Sequence, residues 1–179
     1  MQAGFTLNHT GRLNTKEQCS QYMLMAYPQT TKQVGVIAPP IELAIFQAKE
    51  LMEETIIRWM HRIISNQQYF KVQLEQSTNT NGNDLHLHIH DKTPFQQLAK
   101  QLKVVSQYIS SYDCPEMLFS IKPHLQMATK IADPSYHLLM ATQKEQSFFG
   151  VFEVKELLLL KKQHDYDSYK QVNVFALRP

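Results

Sequence analysis

The chain has 179 residues, of which 43% are hydrophobic and 19% charged, and its formal net charge is +2. This length and apolar share suffice for a buried core, so the composition excludes a chain that is disordered throughout. The weak positive charge permits an anionic ligand, but the sequence lacks the clustered basic residues of a dedicated duplex-binding surface.

Secreted and membrane-spanning proteins are also disfavoured. The two cysteines, Cys19 and Cys114, are too few for the disulfide framework of a small secreted domain. The N-terminal segment lacks the apolar core of a signal peptide, and the longest aliphatic run, at 157–160, is far shorter than the roughly 20 residues of a membrane span. We therefore expect a cytoplasmic protein with no membrane partner and no bound cofactor.

The residue pattern in the first third of the chain predicts an N-terminal arm, two strands and a long helix. Residues 1–18 are polar and weakly patterned, so we expect a loosely ordered arm before a single domain at 19–179. Short apolar runs bounded by prolines predict strands at 21–27 and 34–38. Residues 41–66 predict the longest helix, because apolar residues recur at steps of three and four. This stripe comprises Ile45, Ala48, Met52, Ile56, Met60 and Ile63.

The remainder predicts a hairpin, helices and closing strands. Apolar and polar residues alternate at 70–74 and 85–90, and the Asn81-Gly82 pair between them is typical of a hairpin turn. Helical spacing is found at 94–109 and 133–145. Further strands are predicted at 118–121, 125–128, 151–160 and 172–177. Strands that do not alternate regularly with helices indicate an α+β fold.

One short segment resembles a known family. Residues 122–131 read KPHLQMATKI, in which His124 to Met127 resemble the second signature of the 2H phosphoesterases, His-φ-(Thr/Ser)-φ with φ apolar. The order and spacing of the other segments, over roughly 20–177, are also similar to those of this family of 2′-5′ RNA ligases and cyclic phosphodiesterases. The resemblance implies a bilobal α+β fold, with two antiparallel-sheet lobes, helices on the outer faces and a central groove.

The first signature of the family is degenerate in this sequence. Counting about ninety residues back from His124 reaches Val34 and Val36, where the resemblance implies a histidine and a hydroxyl residue. In an alternative alignment, Lys71 and Gln73 occupy these places. Under either alignment the first histidine is missing, so the two-histidine general acid–base mechanism of the family is not expected to operate in its usual form.

The predicted site therefore rests on the second signature and on a row of histidines. Residues i and i+2 of a strand point to the same face, so we expect His124 and Gln126 to be the catalytic pair of positions. His86, His88 and His90 alternate with apolar residues in the same way. One hypothesis is that one of these three replaces the missing partner of His124; the alternative is a solvated polar row.

These observations predict a divergent 2H phosphoesterase-like protein that binds or slowly hydrolyses a phosphorylated or nucleotide-like small molecule or an RNA end. The expected ligand-binding residues are Lys71, Gln73, His86, His88 and His90. A catalytically inactive binding or interaction protein on the same scaffold is the first alternative. The second is a metal-binding protein using the histidine strand, although three such histidines extend over about 13 Å and cannot all reach one ion. We therefore expect no metal site.

Overall fold

The computed structural model describes residues 19–29, 40–76, 85–120, 124–128 and 149–179, with the backbone alone defined at 28–29, 75–76, 85–87, 124–128 and 149–150. Within these ranges the chain forms one eight-stranded sheet and two α-helices. The elements are β1 (Cys19–Gln29), β2 (Ile41–Lys49), a 3₁₀ turn (Glu50–Met52), α1 (Glu53–Ile64), β3 (Phe70–Gln76), β4 (Leu85–Ile89), α2 (Thr93–Ser110), β5 (Leu118–Phe119), β6 (His124–Ala128), β7 (Phe149–Lys162) and β8 (Lys170–Ala176). The predicted arm at 1–18, the strand at 34–38 and the helix at 133–145 lie outside the described residues.

The long strand β7 organises the sheet. The strand order is β5-β2-β1-β7-β3-β4-β6, and β8 also pairs with β7. The first part of β7 pairs with β3, and its last part lies between β1 and β8. We call β2-β1-β7-β8 the N-terminal half of the sheet and β7-β3-β4-β6 the C-terminal half. All the strand pairs described are antiparallel. Although four strands separate β2 from β6 in this order, the two strands lie close together, because the sheet curls into a half-barrel.

Helix α2 confirms the prediction at 94–109. Its start is fixed by Asp91, whose Oδ1 accepts a hydrogen bond of 2.9 Å from the backbone N–H of Thr93. Pro94 then occupies the first turn, where its missing N–H costs nothing. The apolar stripe is buried against the sheet and comprises Phe95, Leu98, Leu102, Val105 and Ile109. Of the two helices described, neither is long and apolar enough to cross a membrane.

The predicted helix at 41–66 is wrong in its first part. Residues 41–49 form strand β2, and the helix begins only at Glu53. In β2 the buried residues alternate, with Ala44, Phe46 and Ala48 facing the helices, while Met52, Ile56 and Met60 continue the pattern at helical steps. The period therefore changes from two to between three and four within one apolar stretch. Spacing that matched a helix through Ile45 and Ala48 concealed this change.

One hydrophobic core lies between the helices and one side of the sheet. Phe175 from β8, Leu24 from β1 and Met60 from α1 are each fully buried. Burying a side chain of this size stabilises the fold by about 1.5–3 kcal/mol. The core therefore fixes which face of each strand is covered and leaves the opposite face of the sheet open.

A polar network joins the start of α1 to β7 at the edge of this core. The hydroxyl of Tyr22 donates a hydrogen bond of 2.7 Å to Glu53 Oε2, and its ring stacks on Phe46 with centroids 5.1 Å apart. Lys161 Nζ lies 2.7 Å from the same Glu53 oxygen and 3.2 Å from Glu50 Oε1. Burial, followed by the hydrogen bond to Glu53, raises the pKa of Tyr22 far above its ordinary value. Burial lowers the pKa of Lys161, but Glu53 and Glu50 outweigh it and leave the pKa raised.

Candidate functional site

The face of the sheet opposite the helices carries the polar residues singled out in the sequence. Val72 and Leu74 of β3 are buried against the core, whereas Lys71 and Gln73, which alternate with them, are exposed. On β4, Ile89 is buried and His88 is exposed. We call the side marked by Lys71, Gln73 and His88 the open face. The alternation of buried and exposed residues that the sequence predicts is therefore present at these positions.

The register of β4 and β6 brings the two histidine motifs together. His88 is paired directly with His124, and His86 is paired with Gln126. Leu87 is paired with Leu125 between them. Because positions on a strand alternate between the two faces, positions 86, 124 and 126 belong to the same face as His88.

Strand β3 extends this arrangement toward the centre of the sheet. Glu75 is paired with His88, and Lys71 is paired with Glu153 of β7. Glu153 also lies 3.2 Å from Lys155 Nζ, so this part of the open face carries both signs of charge. His90, just beyond β4, is exposed, and its backbone N–H donates a hydrogen bond of 3.0 Å to the carbonyl oxygen of Gln73. The expected ligand-binding residues thus lie on the neighbouring strands β3 and β4 or directly after β4.

A second polar cluster on the open face was missed by the sequence reasoning. Glu42 of β2 is half-buried, as is Tyr169 just before β8. Burial, then the negative charges of Glu42 and Asp165, raises the pKa of Tyr169. Lys162 Nζ lies 5.3 Å from the centre of the Tyr169 ring and 3.8 Å from Asp165 Oδ1. Assigning Glu42 to a helix had hidden the strand periodicity that places it on this face.

A polar cavity of about 390 Å³ adjoins this cluster. Gln21 of β1 is paired with Gln47 of β2 and with Lys162 of β7, so three neighbouring strands form its floor. His164 and Tyr166, from the connection between β7 and β8, are stacked at 5.1 Å between ring centroids and line its side together with Cys19. The N-terminal half of the open face therefore offers hydrogen-bond donors, a cation and aromatic rings.

The positions to which the two alignments assigned the first signature are described only in part. Val34 and Val36 lie outside the described residues, while Lys71 lies on β3, an inner strand. By topology, the counterpart of β6 is β2: each follows a proline, and each pairs antiparallel with a strand that lies between it and the rest of its half. On the described residues of β2, position 42 holds Glu42 on the open face, and no histidine is present.

The metal-site alternative gains no support from the side chains that are described. Among them, no three His, Cys, Asp or Glu residues converge in a way that could hold a metal ion. His88 on β4 and His90 just beyond it are both exposed.

Comparison with solved structures defines the class of fold. No protein-family model matches the chain, and no curated protein matches it by sequence. The fold is that of a group of phosphoesterase structures: one, described as a phosphoesterase, has a TM-score of 0.58 and 14% identity, over 90% of this chain and 99% of the other. LigT of E. coli has the same fold, with a TM-score of 0.59 and 13% identity in the apo form and 0.58 and 14% in complex with 3′-AMP, again over 90% of this chain and 99% of LigT. The α+β fold implied by the family resemblance is therefore confirmed as an antiparallel half-barrel with helices.

Proposed function

We propose that the open face binds a phosphorylated, nucleotide-like ligand, with the neighbouring positions His88 and His124 at the centre of the site. The observation that carries the proposal is the direct pairing of His88 with His124, next to the pairing of His86 with Gln126. Directly opposed residues in antiparallel strands have Cβ atoms about 4.5–5.5 Å apart. Two imidazoles at such positions are close enough to contact one phosphate group.

The chemistry of these residue types suits a phosphodiester. Histidine titrates near neutrality, so of two adjacent imidazoles one can accept a proton while the other donates one. A glutamine amide donates hydrogen bonds to phosphate oxygens, and Lys71 supplies a positive charge on the adjoining strand. On this proposal the protein is a divergent 2H phosphoesterase-like protein in which His88 replaces the missing partner of His124.

The solved structures of the same fold support a ligand of this class. LigT of E. coli has been crystallised with 3′-AMP, with phosphate and with NADP+. All three ligands carry phosphate, and two are nucleotides. An RNA end carrying a terminal or cyclic phosphate has the same chemistry and is the macromolecular form of this ligand.

Glu42 is the second candidate partner for His124. Strand β2, which carries it, lies close to β6 across the curled sheet. A carboxylate can act as a general base, but glutamate with its ordinary, lower pKa is ionised at neutral pH and so holds no proton to donate, whereas histidine can do both. The negative charge of Glu42 also opposes phosphate binding, which favours His88 as the ligand-contacting group.

Binding without turnover is the alternative function. It is favoured by the absence of a histidine from the described residues of β2, the topological counterpart of β6. Removing one acid–base group typically costs about 10²–10⁴ in rate. A protein of this kind would hold the ligand and cleave it slowly or not at all.

The experiment measures binding before turnover. Wild type, His88→Ala and His124→Ala are titrated with 3′-AMP and with inorganic phosphate while the amide NMR signals of the protein are followed. His61→Ala is the matched control, because His61 is exposed on α1, on the helix side of the sheet. We expect both site variants to weaken binding at least tenfold and the control to bind as wild type does. Equal binding by all four proteins contradicts the proposal.

Turnover of a 2′,3′-cyclic nucleotide then separates the candidates. Activity that falls about 10²–10⁴-fold in His88→Ala but persists in Glu42→Gln identifies His88 as the partner of His124. The reverse pattern identifies Glu42. Binding with no measurable turnover in the wild type supports the binding protein instead.

A further inference from the structure

The two cysteines of the chain meet although 95 residues separate them. The Sγ atoms of Cys19 and Cys114 are 3.8 Å apart and are not joined by a disulfide. Cys114 is buried, with 6% of its surface exposed, and Cys19 is half-buried at the start of β1. Since a disulfide has an S–S distance of about 2.05 Å, the sulfur atoms need to approach by less than 2 Å to bond.

The contact is built into the fold at both ends. After α2 ends at Ser110, Asp113 adopts a positive φ of 59° and turns the chain toward the core. Two hydrogen bonds hold this turn: Cys114 Sγ to the carbonyl oxygen of Tyr112 at 3.7 Å, and the backbone N–H of Met117 to Ser106 Oγ at 3.0 Å.

The sheet holds Cys19, the second cysteine of the contact, in place. Following the turn, β5 pairs with β2 through Leu118 and Phe119. Strand β2 in turn pairs with β1, where Lys49 lies opposite Cys19. The two sulfur atoms are therefore held by hydrogen-bonded elements on each side rather than by a chance approach of free loops.

We propose that Cys19 and Cys114 form an intramolecular disulfide when the protein meets a low-molecular-weight disulfide such as oxidised glutathione. The thiolate of Cys19 attacks one glutathione sulfur, which forms a mixed disulfide and releases a glutathione thiol. The thiolate of Cys114 then attacks Cys19 Sγ, which closes the protein disulfide and releases the second glutathione thiol. The two protein thiols lose two electrons and two protons, and glutathione disulfide gains them.

Exposure decides this order of attack. Cys19 lines the polar cavity of about 390 Å³ on the open face, so a small disulfide can reach it from solvent. Cys114 is shielded by the core and acts only on the neighbouring sulfur. The result is a covalent link between the start of β1 and the end of α2, with β2, β3, β4 and both helices enclosed in its loop.

The test uses the purified full chain, incubated with oxidised glutathione, quenched with acid and digested for peptide mass mapping. We expect a crosslinked peptide that contains Cys19 and Cys114, loss of both titratable thiols, and reversal on adding reductant. A loop of this length also predicts a rise in Tm of roughly 10 °C for the oxidised protein.

Two variants check the roles of the sulfur atoms. Cys114→Ser should retain glutathione on Cys19, because the resolving thiol is gone, whereas Cys19→Ser should leave Cys114 unmodified. Wild-type protein that keeps glutathione on Cys19, forms only intermolecular dimers, or retains both thiols overturns the proposal. The wild-type peptide map alone decides this, so the conclusion stands even if a variant folds poorly.

Discussion

The hydroxyl of Tyr22 is a test of how the polar network at the start of α1 stabilises the fold. Tyr22→Phe removes the 2.7 Å hydrogen bond to Glu53 and keeps the ring that stacks on Phe46. Because only 1% of Tyr22 is exposed, water cannot replace the lost donor without rearrangement. The change therefore isolates one hydrogen bond to a charged group.

The expected loss in the free energy of unfolding depends on the partners that Glu53 keeps in the variant. A hydrogen bond to a charged group contributes about 1.5–3 kcal/mol to the free energy of unfolding. Lys161 still lies 2.7 Å from Glu53, so the carboxylate keeps a partner. We therefore expect a loss at the lower end of this range, about 1.5 kcal/mol near neutral pH.

The hydrogen bond from Tyr22 to Glu53 also predicts how the free energy of unfolding changes with pH. The pKa of Tyr22 is raised on folding, so its contribution is complete below the ordinary tyrosine value of 10.0 and is lost as the pH rises above it. Lys161, whose pKa is raised from 10.5, adds a loss of the same sign above that value. Above pH 10, the wild type loses about 1.4 kcal/mol per pH unit through Tyr22. The phenylalanine variant lacks this loss, so the two stabilities should converge near pH 11.

Urea denaturation at about pH 8 and about pH 11 measures both effects. Tyr27→Phe is the matched control, because Tyr27 lies on the same strand but is 41% exposed. We expect the control to match the wild type at both pH values. A loss below about 0.5 kcal/mol for Tyr22→Phe, or a gap that does not narrow at high pH, would refute the reasoning.

Three further predictions concern the core, a turn and a helix cap. Met60→Ala should lower the free energy of unfolding by about 2–5 kcal/mol, because Met60 is fully buried; urea denaturation checks this, and a change below 1 kcal/mol would count against the core described. Asp113 has a positive φ, so Asp113→Val should lower the free energy of unfolding by about 1–2 kcal/mol, whereas Asp113→Gly should not lower it. Equal losses of stability for the two variants in thermal unfolding would contradict the argument from backbone strain. The hydrogen bond from Thr93 lowers the pKa of Asp91, so its contribution is present above the ordinary value of 3.8 and lost as the pH falls through the folded value. Asp91→Ala should thus be less stable than wild type near neutrality but not in acid, and a pH-independent difference in Tm would contradict this.

Much of the fold could be predicted because strong local patterns coincide with the elements formed. The stripe from Phe95 to Ile109 has one period throughout and gave α2 almost to the residue. The alternation at 70–74 and 85–90 likewise gave the antiparallel pair β3 and β4. Residues 41–49 failed because Ile45 and Ala48 fit a helical step, and only pairing with β1, a tertiary interaction, selects the strand.

The candidate site could be predicted only in part for a related reason. Periodicity indicates that His88 and His90 share a face, but not which strand lies beside them. The pairing of His88 with His124 depends on the register of strands separated by α2, and no local pattern fixes that register. Glu42 was missed because its element was assigned wrongly, so an error in secondary structure became an error in the site.

Strand β7 has a consequence for how this chain can be divided. Its 14 residues supply hydrogen-bonding partners to β3 at one end and to β1 and β8 at the other, so neither half of the sheet is complete without it. A fragment ending before Phe149 would leave β1 and β3 with bare edges in the middle of the sheet. Such a fragment should recover its structure only when the missing C-terminal piece is supplied in trans, as in a split-protein reporter. The chain is therefore suited to complementation from two fragments cut before β7, and unsuited to expression as two autonomous halves.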